Sequence, residues 1–424
     1  MSGRQVQPVR GMNDILPEEV PFWRHLEQTA RALLDGYGYQ EIRVPMVEHT
    51  ELFRRSIGEM TDIVEKEMYS FTDRGGDSLT LRPEITAVLV RAAVSNGLLH
   101  NQKHRIWTCG PAFRYERPQK GRYRQFHQID CEAFGYEGPD VDAEIILVSA
   151  RLFRALGIDR VALQVNSLGT PESRLAYREQ LVSYLESRRA ELDEDSLRRL
   201  AGNPMRILDS KNPAMHDVID GAPRITDHLD PASREHFDGL CSHLDACGVG
   251  YTVNPRLVRG LDYYTRTVFE WTTDALGAQD AVCSGGRYDG LIAQLGGEPT
   301  PAIGWGLGME RVTELLRATG TAVGEAAPQV YVVLAGAAAE RAGLALVEGW
   351  RDALAGVRMA VNAGGGSFKS QLKRADRSGA ELAVILGDDE VARQVAAVKP
   401  LRSDREQQQC AWADVPAQIK AGLS

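Results

Sequence analysis

Apolar residues recur at helical spacing at Phe22, Leu26, Ala30, Leu33 and Leu34. That spacing predicts a helix over 22–37, ended by Gly36 and Gly38. A strand over 41–47, around Pro45, follows. A second helix is predicted over 84–94, with Pro83 near its first turn. Segments 105–115 and 124–134 alternate apolar and polar residues as strands do, and the polar, basic stretch 116–123 lies between them. Together they predict an antiparallel hairpin with a long loop. An amphipathic helix over 141–156 and a strand over 161–166 come next.

The pattern changes from about Leu168 to Gly248. Charged, helix-favouring residues dominate, broken at Asn203-Pro204, Asn212-Pro213 and Ala222-Pro223. This stretch reads as a helical insertion. Strand character returns at Tyr251 and is strongest over 267–271, and this part of the chain ends by about Thr319. The small residues of 320–327 predict a linker. Beyond Pro328, strands at 330–334, 358–361 and 382–386 alternate with helices near 340–355 and 368–378, and a late strand covers 395–398. Such alternation predicts a small α/β domain with parallel pairing. The expected divisions are therefore 1–167 with 249–322, an insertion over 168–248, and a last domain over 328–424.

With 424 residues, 43% of them hydrophobic, the chain has room for about two or three globular domains. No apolar run approaches the roughly 18 residues of a membrane span, and the first twelve residues lack the apolar core of a secretory signal. The six cysteines form no C-x-x-C pair. They read as reduced thiols of a cytoplasmic protein, neither a disulfide framework nor a zinc site. A net charge of −9 excludes a chain that coats nucleic acid non-specifically. A polyanion would need a local basic groove, such as the segment with Arg114, Arg117, Lys120, Arg122 and Arg124.

Candidate chemistry gathers in five strings. In Leu257–Trp271, Arg259 and the pair Tyr263-Tyr264 precede a strand. An arginine fork suits phosphate or carboxylate, and a tyrosine supplies an apolar wall with one polar handle. Alternation on the second hairpin strand puts Phe126, Gln128, Asp130 and Glu132 on one face, which suits a ligand floor. In Gly304-Trp305-Gly306-Leu307-Gly308-Met309-Glu310-Arg311, glycines permit close approach of a ligand, and Arg311 sits on the following helix. In Leu81–Thr86, Glu84 and Thr86 could accept from an α-ammonium group, while helix capping by Glu84 is the competing role. Ser284–Gly290 places Tyr288 after two glycines. The run Gly364–Ser370 lacks the glycine that a phosphate loop needs before its lysine. His100 and His104 have no third metal ligand in reach by sequence.

These strings resemble the three motifs of class II aminoacyl-tRNA synthetases: Gly36–Pro45 the first, Phe113–Gln128 the second, Gly304–Val312 the third. The run Arg259–Glu270, with Arg10–Asp14 and Leu81–Thr86, is similar to histidyl-tRNA synthetases in particular. The resemblance spans Arg10 to about Gln409. It implies an α+β catalytic domain with a mixed, mainly antiparallel sheet, a helical insertion and a C-terminal α/β anticodon-binding domain. It also implies ATP-dependent ligation of L-histidine to tRNA(His) through histidyl-adenylate, Mg²⁺ carried by ATP, and a homodimer formed through residues 37–45. By the same resemblance Arg259 and Arg114 are catalytic. Histidine is held by Glu84, Thr86, Arg114, Gln128, Glu132, Arg259, Tyr263, Tyr264 and Tyr288. ATP is held by Arg114, Glu116, Arg122, Phe126 and Arg311, with Phe126 and Arg311 around the adenine. Arg117, Gln119 and Lys120 meet the tRNA acceptor end. Two other classes share parts of this pattern: a catalytically dead regulatory paralogue, and a module that holds tRNA without chemistry.

Overall fold

The structure is a computed structural model that describes residues 6–58, 61–210, 212–276, 281–324 and 327–423. The chain divides into two compact units, residues 1–323 and 324–424. Residues 325 and 326 of the expected linker lie outside the described residues.

In the first unit, α1 (Val20–Gly36) leads into β1 (Gln40–Glu41) and β2 (Val47–His49). The single strand expected over 41–47 is thus two short strands in different sheets, because Pro45 cannot donate to a ladder. Next come α2 (Thr50–Ile57), β3 (Tyr69–Thr72) and β4 (Ser78–Leu81), which with β2 forms a three-stranded sheet. Helix α3 (Thr86–Ser95) starts two residues later than the sequence suggests. The hairpin follows as β5 (His104–Phe113) and β6 (Gln125–Phe134), then α4 (Pro139–Ala155) and β7 (Ala162–Ser167). Segment 168–248 holds α5 (Pro171–Ser187), α6 (Glu194–Gly202), α7 (His216–Asp220) and α8 (Pro231–Ala246). The unit closes with β8 (Thr252–Val253), β9 (Thr265–Thr272), β10 (Ala281–Arg287), α9 (Leu291–Gln294), β11 (Ala302–Gly308) and α10 (Met309–Ala318).

Eight strands form the main sheet in the order β1-β5-β6-β11-β10-β9-β7-β8. Only the outer pairs β1/β5 and β7/β8 are parallel. A period of two splits each central strand between two faces. One face of β6 and β11, with Ile129, Cys131, Ala133, Ile303, Trp305 and Leu307, joins the main hydrophobic core. Helices α1, α4, α8 and α10 cover that face. On α1 the buried residues Trp23, Leu26, Ala30 and Leu34 form the apolar stripe expected of an amphipathic helix. Trp305 and Trp271 fasten α4 to the sheet by donating to Ile145 O (3.0 Å) and Ser149 Oγ (2.8 Å). Helix α8 packs on α4 in this core, whereas α5 contributes Tyr177, Leu181 and Leu185 to a second core with α3, Tyr263, Tyr264 and Tyr288.

The second unit contains β12 (Val330–Ala335), α11 (Ala337–Ala353), β13 (Met359–Val361), α12 (Phe368–Arg377), β14 (Leu382–Gly387), α13 (Asp388–Arg393), β15 (Val395–Pro400), β16 (Gln408–Ala411) and α14 (Val415–Leu423). Its sheet order is β13-β12-β14-β15-β16. The three strands that alternate with helices pair in parallel as expected, but β15 and β16 add antiparallel edges. A short connection such as the one into β16 can only reverse the chain. Gly364 to Gly366 form a turn with positive φ, and Ser367 caps α12 by accepting from Ser370 N at 3.3 Å.

Candidate active site

The second face of β6, β11, β10 and β9 is the floor of a cavity of about 380 Å³. Register sets the floor in rows. Asp130 lies opposite Gly306, Gly306 opposite Ser284, and Ser284 opposite Glu270. In the next row Glu132 faces Gly304, Gly304 faces Gly286, and Gly286 faces Val268. The glycines of β11 are required by space. A Cβ at Gly304 would lie 1.4 Å from Glu132 Oε2, and one at Gly306 would lie 2.7 Å from Gln128 Nε2. Side chains from β6 therefore lean over a bare strand, and the cavity opens above it.

At one end of the floor Glu132 is fully buried and both of its oxygens are occupied. Thr86 Oγ1 donates to Oε1 at 2.7 Å and Tyr288 Oη donates to Oε2 at 2.5 Å. Burial pushes this carboxyl up to about 8, against the pull of those two donors. Tyr263 packs against Tyr264 (ring centroids 4.7 Å apart) and edge-on to Tyr288 (5.6 Å), closing an aromatic box around the carboxyl. Glu84 lies beside it, pushed up to about 7 by burial while its bond to Ala87 N and the charge of Arg114 act in the opposite sense. Glu84 Oε1 accepts from Ala87 N at 3.0 Å, so it caps α3 from outside the helix and lines the cavity as well. Thr86 spends its one hydroxyl donor on Glu132.

Arginines line the rest. Arg259 does not stand on a strand end. It lies in the irregular segment before β9, and its fork is fixed from the floor, with Nη1 donating to Glu270 Oε2 and Nη2 to Ser284 Oγ, both at 2.6 Å. Burial acts against its charge, but Glu270 more than offsets that, and the guanidinium is held above its ordinary value. Its Nε is buried with no hydrogen-bond partner. Arg114 donates Nε to Pro83 O at 2.7 Å and lies over the Phe126 ring, 5.3 Å from its centroid. Arg311 donates to Gly121 O (3.0 Å) and to Ala281 O. It therefore ties the hairpin loop to β10, while both it and Phe126 line the cavity. Arg122 pairs with the buried Glu116, whose Oε1 is 3.8 Å from Arg114 Nη1.

Outside the cavity, Arg117, Gln119 and Lys120 are exposed on the hairpin loop. Gln119 and Arg122 exchange two backbone hydrogen bonds that make the loop a turn. Lys120 Nζ reaches Glu314 on α10 at 3.1 Å. His127 points to the opposite face, bonded to Glu310 at 3.0 Å and edge-on to Trp23, so it packs and does not line the floor. Three residues were not singled out from sequence. Ser284 and Glu270 orient Arg259, and no local pattern shows which side chains meet across three strands. Arg287 is buried with Asp142, which also takes His236 Nε2 at 2.7 Å. This network ties α4, α8 and β10 together on the face away from the cavity.

Comparison with known proteins agrees with this geometry. Residues 11–312 match the family described as "Histidyl-tRNA synthetase" and residues 329–422 match "Anticodon binding domain". A histidine–tRNA ligase of Halorhodospira halophila (strain DSM 244 / SL1) is 57% identical over 420 residues, 99% of each chain. The crystal structure of apo S. aureus histidyl-tRNA synthetase superposes with a TM-score of 0.81 at 34% identity, covering 98% of this chain and 100% of that one. The histidyl-tRNA synthetase from Nostoc sp. PCC 7120 shares the fold at 22% identity, with a TM-score of 0.70 over 99% and 100% of the two chains. With a fully buried carboxyl in a tyrosine box, arginines along the same glycine-floored cavity, and a match over nearly its whole length, the chain belongs to the histidyl-tRNA synthetase family.

Proposed function

We propose that the chain joins L-histidine to tRNA(His) in two steps at this cavity. A carboxylate oxygen of histidine bonds to the α-phosphorus of ATP as the bond to pyrophosphate breaks, giving histidyl-adenylate. A terminal ribose hydroxyl of tRNA(His) then attacks the histidyl carbonyl, and AMP leaves. No protein nucleophile is needed, so positioning and charge neutralisation carry the rate.

The observation that carries this reading is the joining, in one cavity, of Tyr263, Tyr264 and Thr86, the last bonded to the buried carboxyl of Glu132, with arginines prearranged for phosphate. Imidazole carries one donor and one acceptor. Glu132 suits the donor and a phenol such as Tyr264 suits the acceptor. Arg259, fixed from below, and Arg114, fixed by Pro83 O, bracket the α-phosphate, where charge grows in the transition state. Arg311 and Phe126 hold the adenine end, and Arg122 with Arg311 the outer phosphates. Mg²⁺ would come with ATP on phosphate oxygens and water, as is usual for this ion. It would neutralise the leaving pyrophosphate. Among the described residues no cluster of three or more His, Cys, Asp or Glu side chains could hold a metal.

Arg117 and Gln119 are exposed donors suited to base edges at the tRNA acceptor end, and Lys120 suits phosphate. Residues 328–424 hold the anticodon by this reading. A homodimer through residues 37–45 is supported by apolar surface next to that segment, with Met46 48% and Val47 37% exposed. No helix among the described residues is long and apolar enough to cross a membrane, and a cytoplasmic location suits the substrates. ATP–pyrophosphate exchange tests the core of the proposal. Exchange that depends on histidine, followed by charging of tRNA(His), is expected. Exchange with another amino acid and none with histidine overturns it.

A further inference from the structure

Between Gln128 and Glu132 on β6, Asp130 faces the cavity without a part in holding imidazole or ATP. It is 2% exposed and lines the cavity floor, opposite Thr108 on one side and Gly306 on the other. Its Oδ2 is buried and has no hydrogen-bond partner, and Gln128 Oε1 beside it is in the same condition. Two orphaned acceptors side by side are costly in a folded protein. They are a natural place for a donor that arrives with a ligand.

The surroundings say which donor. Burial, with Glu132 and Glu84 behind it, pushes the Asp130 carboxyl well above the usual carboxylate range. The nearby cations already serve the backbone. Arg82 donates to Pro111 O at 2.7 Å and to Val44 O and Pro45 O at 3.3 Å, and Arg114 donates to Pro83 O. Thr86 has no hydroxyl proton to spare, since Glu132 takes it. What remains is a pair of buried acceptors, Asp130 Oδ2 and Gln128 Oε1, that no donor reaches, although the charges of Arg82 and Arg114 act on the Asp130 carboxyl against its burial. The matching group is a small cation with donors on several sides, and an ammonium has three. Asp130 is two residues along the strand from Glu132, about 7 Å, on the side toward Gln128 and Phe126. That separation is comparable with the reach of histidine from its ring to its α-nitrogen.

We propose that Asp130 is a further substrate-binding residue of the amino-acid site, its free oxygen accepting a hydrogen bond from the α-ammonium group of histidine beside Gln128 and Glu84. The inference rests on the reading that this cavity binds histidine. It predicts a dependence on the ammonium alone, because Asp130 lies about 7 Å along the strand from Glu132 and makes no hydrogen bond to the arginines assigned to the phosphates.

The test uses the full chain, with Asp130→Asn and Asp130→Ser, and two ligands followed by calorimetry: histidine and imidazolepropionate, which keeps the ring and carboxylate but lacks the ammonium. A charge-assisted bond lost from a buried site corresponds to about a ten- to hundredfold weaker affinity. That loss is expected for histidine in both variants. Imidazolepropionate affinity and the KM for ATP stay within twofold of wild type. Equal weakening of both ligands, histidine affinity unchanged within twofold, or a raised KM for ATP instead, overturns the assignment. Should one variant fail to fold, the other carries the same comparison. The two readings fail separately. Wild-type protein without histidine-dependent exchange sinks the reading of the cavity, whereas normal wild-type exchange without the ligand-selective loss sinks only the role of Asp130.

Discussion

Replacing Glu132 by glutamine keeps its size and removes its charge, and the structure sets how binding should then depend on pH. Burial pushes this carboxyl up to about 8 and Glu84 up to about 7. A ligand that donates to the anion must find it ionised. At pH 7 a group titrating one unit higher is ionised in roughly one molecule in ten, and at pH 8.5 in roughly three in four. Histidine should therefore bind roughly eightfold more tightly at pH 8.5 than at pH 7 through Glu132, with about a further twofold from Glu84. Both pH values lie above the ordinary imidazole value of about 6.5, so the ligand ring is mostly neutral throughout. In Glu132→Gln, affinity at pH 8.5 should fall by about ten- to hundredfold, the value of a buried charge-assisted bond. The pH response should lose the roughly eightfold share of Glu132 and keep only what Glu84 and Asp130 supply. Calorimetry of histidine binding at the two pH values measures both effects. A glutamine variant that keeps the full wild-type response, or a wild type that changes less than twofold, would refute the assignment of imidazole recognition to Glu132.

The same raised carboxyls predict a trend in stability. Their protonated forms favour the fold at low pH, and that contribution is lost as pH rises from the ordinary carboxylate range through about 7 and 8. The ligand-free protein should accordingly melt at lower temperature at pH 8.5 than at pH 5.5, and Glu132→Gln should flatten the fall. Arg259→Ala should slow adenylate formation by about 10²–10³, read by single-turnover exchange, and a rate within threefold of wild type would deny it a catalytic role. Gly304→Ala drives a methyl group into Glu132 Oε2 and should lose histidine-dependent exchange while ATP still binds. A variant with normal exchange would show that the floor yields. Truncation after Val323 leaves the first unit with its own core. It should keep measurable exchange but charge full tRNA poorly and an anticodon-free minihelix normally; equal damage to both substrates would remove the anticodon role from residues 328–424.

Period-two alternation placed Phe126, Gln128, Asp130 and Glu132 on one face before any coordinates, and the sheet keeps them there. Alternation is a local property, fixed by the pleat. The amphipathic helix at Val20–Gly36 and the hairpin were legible for the same reason. The short strands β2, β3 and β4 were not, because three or four residues carry too little periodicity and Pro45 blurs the start. Strand β10 was hidden by Gly285 and Gly286, whose lack of side chains erases the pattern. Antiparallel β16 could not be inferred from the alternation that revealed its parallel neighbours. Partners across strands were the least legible. Thr86 with Glu132, and Ser284 with Arg259, are separated by 46 and 25 residues, and only the register brings them together.

That register also explains how one sheet serves two chemistries. Buried carboxyls and arginine forks would each be costly alone in a low-dielectric cavity. Along the floor the row of Asp130, Gly306, Ser284 and Glu270 lies next to the row of Glu132, Gly304, Gly286 and Val268. Glu270 and Ser284 take two nitrogens of Arg259 and leave Nε without a partner. Thr86 and Tyr288 take both oxygens of Glu132, yet burial still keeps that carboxyl largely protonated at neutral pH. The site is therefore held in shape by uncharged donors at the amino-acid end and by a fixed ion pair at the phosphate end. Binding the α-ammonium group of a zwitterionic amino acid beside an anionic nucleotide would supply the missing charge at both ends at once. Because adjacent strands fix the two ends about one row apart, the histidine carboxylate has little freedom left when it meets the α-phosphate, and positioning of this kind is what a reaction without a protein nucleophile requires.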